Sequence, residues 1–101
     1  MRYPLMTIHG ENNIEITATK EHDEKEFLSG EVVNGVVIYC EQWKPEYDDF
    51  AGVSFLIEDN NISLLKSHLF SKEEIQFLVN KIKELKEKIA DYINEQNERI
   101  Y

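Results

Sequence analysis

The sequence predicts one α+β domain, in which an antiparallel meander sheet of five or six strands packs against one long C-terminal helix. Three observations lead to this prediction. Apolar and polar residues alternate strictly in "IEITATK", short apolar runs are separated by turns that contain Gly or Asn, and apolar residues recur at helical spacing from residue 75 onward. A chain of 101 residues has the size of a single domain, 1–101, with the sheet predicted in residues 1–69 and the helix in residues 71–98.

The predicted strands follow one another through short turns. "IEITATK" places Ile14, Ile16 and Ala18 on one face, which is the period of a half-buried strand. The turn "GENN" joins it to the preceding apolar segment "YPLMTIHG". After the solvated link "EHDEKE", Asn34-Gly35 predicts a second hairpin between "FLSGEVV" and "VVIYCEQW". Two further runs, "GVSFLIE" and "ISLLKSHLF", flank the turn "DNN" and complete the meander.

The start of the predicted helix is marked by two local signals. Ser71 and Glu74 have the spacing of a capping box, and Phe70 and Ile75 have that of a hydrophobic staple. The apolar stripe then recurs at alternating steps of three and four residues: Ile75, Leu78, Ile82, Leu85, Ile89 and Tyr92. A helix from residue 72 to residue 97 would be about 39 Å long, whereas a strand of six residues spans only about 20 Å.

Because the helix is longer than the sheet, its end beyond Ala90 is expected to overhang, to kink or to meet another subunit. We therefore predict a homo-oligomer formed through the C-terminal helix, with Tyr92, Ile93 and Ile100 at the interface. The alternative is a single helix packed on its own sheet, which accounts for the stripe as far as Ile89.

The charge of the chain is acidic and one-sided. The formal net charge is −9, and residues 1–50 contain eleven acids against four bases, whereas residues 51–101 contain nine acids against seven bases. Direct binding to nucleic acid or to an anionic membrane surface requires clustered Lys and Arg, so both are disfavoured. A basic protein partner is favoured, because an acidic surface attracts basic ones. The alternative is that the acidity only keeps the protein soluble.

The remaining composition points to a cytoplasmic protein. Cys40 is the single cysteine, so no disulfide within the chain is possible, and its apolar context predicts a buried thiol. The N-terminal segment lacks the apolar stretch of a signal peptide, and no apolar run has the roughly 18 residues of a membrane span.

No pattern in the sequence predicts a catalytic, metal or cofactor site. The four glycines are scattered singly, unlike those of a phosphate-binding loop, and one Cys with three separated His residues lacks the spacing of a zinc site. Asp23, Glu24 and Glu26 would suit a hard cation, but without the glycine-punctuated pattern of a calcium loop. Glu31 and Glu41, on the two arms of the Asn-Gly hairpin, come closest to paired catalytic carboxylates, and they are expected to face solvent. We therefore predict that the protein is not an enzyme.

The stretch "EQWKPEYDDFAG" carries the strongest indication of function, because it places large aromatic side chains among carboxylates in a predicted loop. Aromatic residues dominate interface hot spots, and carboxylates pair with Lys or Arg of a partner. We predict a recognition loop anchored by Trp43 and Phe50. The complete set of predicted partner-binding residues is Glu41, Trp43, Glu46, Tyr47, Asp48 and Asp49. The alternative is that Trp43 and Phe50 close the sheet edge as core residues and only Tyr47 is exposed.

Three functional hypotheses follow. The first is a non-enzymatic binding protein that inhibits or sequesters a basic partner, such as a nucleic-acid-binding protein. In its small size, acidity and lack of motifs, the chain is similar to phage-encoded inhibitors of bacterial defence systems. The second is an oligomer that sequesters a nucleotide-like small molecule, for which lysines must line the site: Lys81, Lys83, Lys86 and Lys88. The third is a structural or assembly subunit.

Overall fold

The computed structural model of the chain describes residues 3–19, 36–58 and 61–98. Within these residues the prediction of an α+β domain with an antiparallel meander sheet is confirmed, and the sheet has five strands. The predicted strand "FLSGEVV", the Asn34-Gly35 hairpin and the acidic link "EHDEKE" lie outside the described residues, and so does Ile100.

The five strands lie side by side in the order in which they occur in the chain, and each is antiparallel to its neighbour. They are followed by two helices. The elements are β1 (Tyr3–Ile8), β2 (Ile14–Thr19), β3 (Val36–Lys44), β4 (Asp49–Glu58), β5 (Asn61–His68), α1 (Lys72–Glu84) and α2 (Lys86–Glu98). β3 is therefore the central strand, and β1 and β5 are the two edges of the described sheet.

The hydrophobic core lies between the sheet and the helices. The predicted inward face of β2 is confirmed, since Ile16 and Ala18 are buried and Ile14 packs against them. The two helices contribute the predicted stripe. The buried core residues on the central part of the sheet and on the helices are Ile16, Ile38, Cys40, Val53, Phe55, Leu78, Ile82, Leu85, Ile89 and Tyr92.

The prediction of one long helix is wrong, because the helical segment divides at Leu85. The backbone of Leu85 lies at φ −90° and ψ 13°, and its N–H is shared between the carbonyls of Lys81 and Ile82. This local tightening interrupts the regular α-helix without Pro or Gly. Ile82 before Leu85 and Ile89 after it are both in the core.

Local signals at the helix start are confirmed. The N–H of Glu74 donates to Ser71 Oγ at 3.1 Å, and Glu74 Oε1 accepts from the N–H of Ser71 at 3.0 Å, which completes the capping box. Phe70 and Ile75 both pack against the core.

The second helix fastens the β1 edge of the sheet. The rings of Tyr3 and Tyr92 stack at 5.1 Å between centroids, and Lys88 Nζ donates to the carbonyl oxygen of Leu5 at 3.2 Å. Among the described residues, neither helix is both long and apolar enough to cross a membrane.

Candidate functional site

The stretch predicted as a recognition loop is a β-hairpin, so the prediction of a loop is wrong. β3 continues to Lys44, β4 begins at Asp49, and Trp43 lies directly opposite Phe50. The turn between the strands is a single 3₁₀ turn, Pro45–Tyr47, that starts with the proline. It closes at Asp48, whose backbone is left-handed (φ 49°, ψ 43°) and whose N–H donates to the carbonyl oxygen of Pro45 at 3.2 Å. Residues 43–50 are called the hairpin tip below.

Aromatic surface is exposed at the hairpin tip. Tyr47 is 59% exposed and Phe50 is 51% exposed, whereas Trp43 is half-buried. The rings of Trp43 and Phe50 meet edge to face at 4.9 Å between centroids. Each ring therefore orders the other, and Phe50 is a surface residue, which differs from its expected role as a buried anchor. Rings that are held in place before binding lose little side-chain entropy on contact with a partner.

The carboxylates of the hairpin tip are in two different states. Glu46 and Asp48 are exposed and have no ion-pair partner among the described residues. Asp49 is held in place, because Oδ1 accepts from the N–H of Phe50 at 2.8 Å and Oδ2 lies 3.1 Å from His68 Nε2. The hydrogen bond with His68, followed by that from Phe50, lowers the pKa of Asp49. Asp49 is therefore anionic at neutral pH.

The single cation of the hairpin tip is turned away from this surface. Lys44 extends to the helix side of the sheet, where its Nζ pairs with Glu74 and lies 5.5 Å above the ring of Phe70. Because of this pairing, Lys44 does not neutralise Glu46 or Asp48.

A further acidic pair extends the surface along the sheet. The backbone register places Glu41 opposite Glu15, and Glu41 lies two residues before Trp43 on the same face of β3. Like charges directly opposite each other repel and favour a cation between them. Glu15 was not among the predicted residues. The alternation in "IEITATK" puts it on the polar face, but its partner across the strands depends on the register.

Gly52, on β4 two residues after the hairpin tip, has a packing role. A Cβ atom at this position would lie 2.5 Å from the hydroxyl oxygen of Tyr39. The absence of a side chain at Gly52 therefore lets the Tyr39 ring lie over the β4 backbone beside the hairpin tip.

A polar hollow of about 310 Å³ lies behind the hairpin tip, between its turn and the turn that joins β1 to β2. Its wall includes Glu46, His9 and Gln42. Gln42 Nε2, on β3 one residue before the hairpin tip, donates to the carbonyl oxygen of Asn12 at 3.0 Å. This contact joins β3 to the turn between β1 and β2.

Of the three residues predicted at an oligomer interface, only Tyr92 has a side chain that the structure describes. Tyr92 is only 4% exposed and stacks on Tyr3 of the same chain, so its ring offers no free surface. The side chain of Ile93 and the whole of Ile100 lie outside the described part of the structure. The C-terminal-helix interface stays a prediction, without the ring of Tyr92 to support it.

A larger groove lies on the other side of the molecule, between β5 and the helices, with a volume of about 820 Å³. Its walls are mostly apolar and include Ile57, Ile62 and Val79, and its charged lining residues are Lys83, Lys86 and Glu87. In the part of the chain that the structure describes, no three His, Cys, Asp or Glu side chains converge as metal ligands would.

Comparison with known proteins gives no relative. No family model matches the chain, and no curated protein or solved structure matches it.

Proposed function

We propose that the chain is a non-enzymatic binding protein that inhibits or sequesters a basic protein partner through the hairpin tip. The observation that carries this proposal is the joint exposure, at the hairpin tip, of Tyr47, Phe50 and the carboxylates of Glu46 and Asp48, which have no ion-pair partner among the described residues. Aromatic rings supply contact area, and carboxylates steer and orient Lys or Arg side chains.

The acidic pair Glu15 and Glu41 supports the same class of partner. It continues the negative surface from the hairpin tip along β2 and β3, over a length that suits several basic side chains. A nucleic-acid-binding protein has such a basic surface, and a bound hairpin tip would cover it. A phage-encoded inhibitor of a bacterial defence protein would act in this way.

Trp43 provides a direct assay of this proposal, because it is the only tryptophan and lies in the hairpin tip. Its fluorescence is recorded during titration with peptides rich in Arg and Lys, at several salt concentrations. We expect saturable binding that weakens as salt is added. Tyr47→Ala should weaken it by about thirtyfold or more, the cost of losing an interface hot spot.

A matched pair of variants separates the hairpin tip from the overall charge. Glu46→Gln with Asp48→Asn removes two charges from the tip, and Glu87→Gln with Asp91→Asn removes two exposed charges from α2. Only the double variant in the hairpin tip should lower the affinity for the basic peptides and make that affinity less dependent on salt. Equal losses in both pairs would show attraction by net charge alone and would refute the proposal. The same variants then serve as baits in a search of the source cell for the natural partner.

A second candidate function is the binding of a small molecule in the groove between β5 and the helices. Its support is the pair Lys83 and Lys86, two of the lysines that an anionic ligand requires, beside an apolar wall. A native mass spectrum of the freshly purified protein tests it, since a reproducible extra mass that is lost in Lys83→Met with Lys86→Met would identify this site. A ligand-free spectrum would leave the hairpin tip as the functional surface.

A further inference from the structure

The two edges of the sheet are treated differently by the sequence. The β1 edge is blocked in three ways: Pro4 lacks an N–H, the pairing with β2 is irregular between Pro4 and Met6, and Lys88 Nζ occupies the carbonyl oxygen of Leu5. These are devices by which proteins prevent a sheet from pairing with another chain.

Within the described residues the β5 edge shares only one of these blocks, an irregular pairing with β4 between Ser54 and Phe55. β5 is eight residues long, Asn61–His68, and contains no proline. Leu64 at its centre is 52% exposed, and the apolar groove walled by Ile57 and Ile62 runs beside it. A strand edge of this length carries backbone N–H and C=O groups that a further strand would satisfy.

The charge along β5 indicates what kind of strand would pair there. Residues 60–72 form the longest stretch of the chain without Asp or Glu, and they include Lys66, His68 and Lys72. In a protein with a net charge of −9, this stretch is where two copies can approach with the least repulsion between carboxylates.

We propose that β5 pairs antiparallel with β5 of a second copy and forms one continuous ten-stranded sheet from the two five-stranded sheets. Pairing centred on Leu64 places the Leu64 side chains of the two copies opposite each other and Lys66 opposite Ile62, so no like charges face each other. A two-fold axis through this point makes the interface isologous and closed. The second copy also covers the exposed Leu64 side chains.

The dimer is tested by sedimentation equilibrium over a wide range of protein concentration. We expect a reversible monomer–dimer equilibrium. Leu64→Asp should raise the dimer dissociation constant by about 100-fold or more, because each dimer would bury two introduced carboxylates. Phe77→Asp is the matched control, since Phe77 is 45% exposed on α1, and it should leave the constant unchanged. Circular dichroism of both variants checks that they are folded.

Amide hydrogen exchange adds a measurement that needs no variant. Protection of the β5 amides should increase with protein concentration, while protection of the β1 amides should not. A wild-type chain that stays monomeric at every concentration overturns the proposal, and so does a dimer that Leu64→Asp leaves intact. A β5 edge that is protected only when another protein is added would also overturn it, since that edge would then belong to a different partner.

Discussion

The ion pair between Lys44 and Glu74 connects the base of the hairpin tip to the first turn of α1, and its removal should cost more than the loss of an ordinary surface pair. Lys44→Met keeps the aliphatic stem over the Phe70 ring. Glu74→Gln keeps the oxygen that completes the capping box with Ser71. The two variants together therefore remove the charge pair and leave the packing and the cap in place.

The expected magnitude follows from the exposure of the two side chains. Lys44 is 14% exposed and Glu74 is 38% exposed. Exposed ion pairs contribute about 0.2–1 kcal/mol, and breaking a fully buried pair costs about 3–5 kcal/mol. For this intermediate exposure we expect a coupling free energy of about 1–2 kcal/mol. Each kcal/mol of lost stability should lower the melting temperature by about 4–8 °C.

The assay is a double-mutant cycle by urea unfolding, with Lys81 and Glu84 as an internal control. The control pair also has its lysine above a phenylalanine ring, at 5.6 Å from Phe77 compared with 5.5 Å from Phe70. In the control pair, Lys81 Nζ lies 3.4 Å from Glu84 Oε2, which is a longer distance. The side chain of Lys81 is 29% exposed and that of Glu84 is 67% exposed. Its coupling free energy should be about 0.5 kcal/mol or less. Equal coupling energies in the two cycles would refute the argument from exposure.

The same pair gives a pH dependence with a definite sign. Partial burial raises the pKa of Glu74, but the hydrogen bonds from Lys44 and Ser71 outweigh it, so the pKa lies below its ordinary value of 4.5. A carboxyl group with a lowered pKa stabilises the fold fully above its unfolded pKa, and this stability is lost as pH falls through the lower folded pKa. Glu74→Gln should therefore reduce the loss of stability on acidification below about pH 4.5.

Three further predictions concern the hairpin tip and the core. Asp48→Gly should stabilise the protein by about 0.5–1 kcal/mol in thermal unfolding, because glycine accepts the left-handed backbone at this position without strain; a lower melting temperature would contradict this. His68→Asn should raise the pKa of Asp49 in an NMR titration, since the bond with His68 is the main cause of its lowering; an unchanged pKa would show that the pairing is absent in solution. Phe55→Ala should cost about 3–5 kcal/mol in urea unfolding, because Phe55 is a large side chain that is 1% exposed; a cost below about 1 kcal/mol would mean that the core refills the cavity.

Features determined by neighbouring residues could be predicted from the sequence. The alternation around Ile16 and the capping box of Ser71 and Glu74 depend on local spacing, and both are confirmed in the structure. The pairing of β1 with β2 follows from the short turn between them, where the side chain of Asn13 accepts from the N–H of Gly10 at 3.2 Å. These signals need no knowledge of distant contacts.

Features that depend on contacts between distant residues could not be predicted. The interruption of the helix at Leu85 has no Pro or Gly to mark it. The burial of Tyr92 depends on Tyr3, which lies at the opposite end of the chain. The extension of β3 and β4 into the hairpin tip depends on how tightly Pro45 and Asp48 close the turn. The aromatic and acidic composition of the hairpin tip could be read from the sequence. Its geometry depends on the pairing register of β3 with β4, which the sequence does not give.

Cys40 makes the opening of the core measurable by simple chemistry. It is fully buried on the central strand, in the same cluster as Leu78 and Ile82 of α1, and burial raises its pKa to about 12. Reagents attack the thiolate, which is scarce at pH 7. Labelling of the native protein therefore requires that the helices and the sheet move apart. The rate of modification by a thiol reagent thus reports how often the core opens, without an engineered probe.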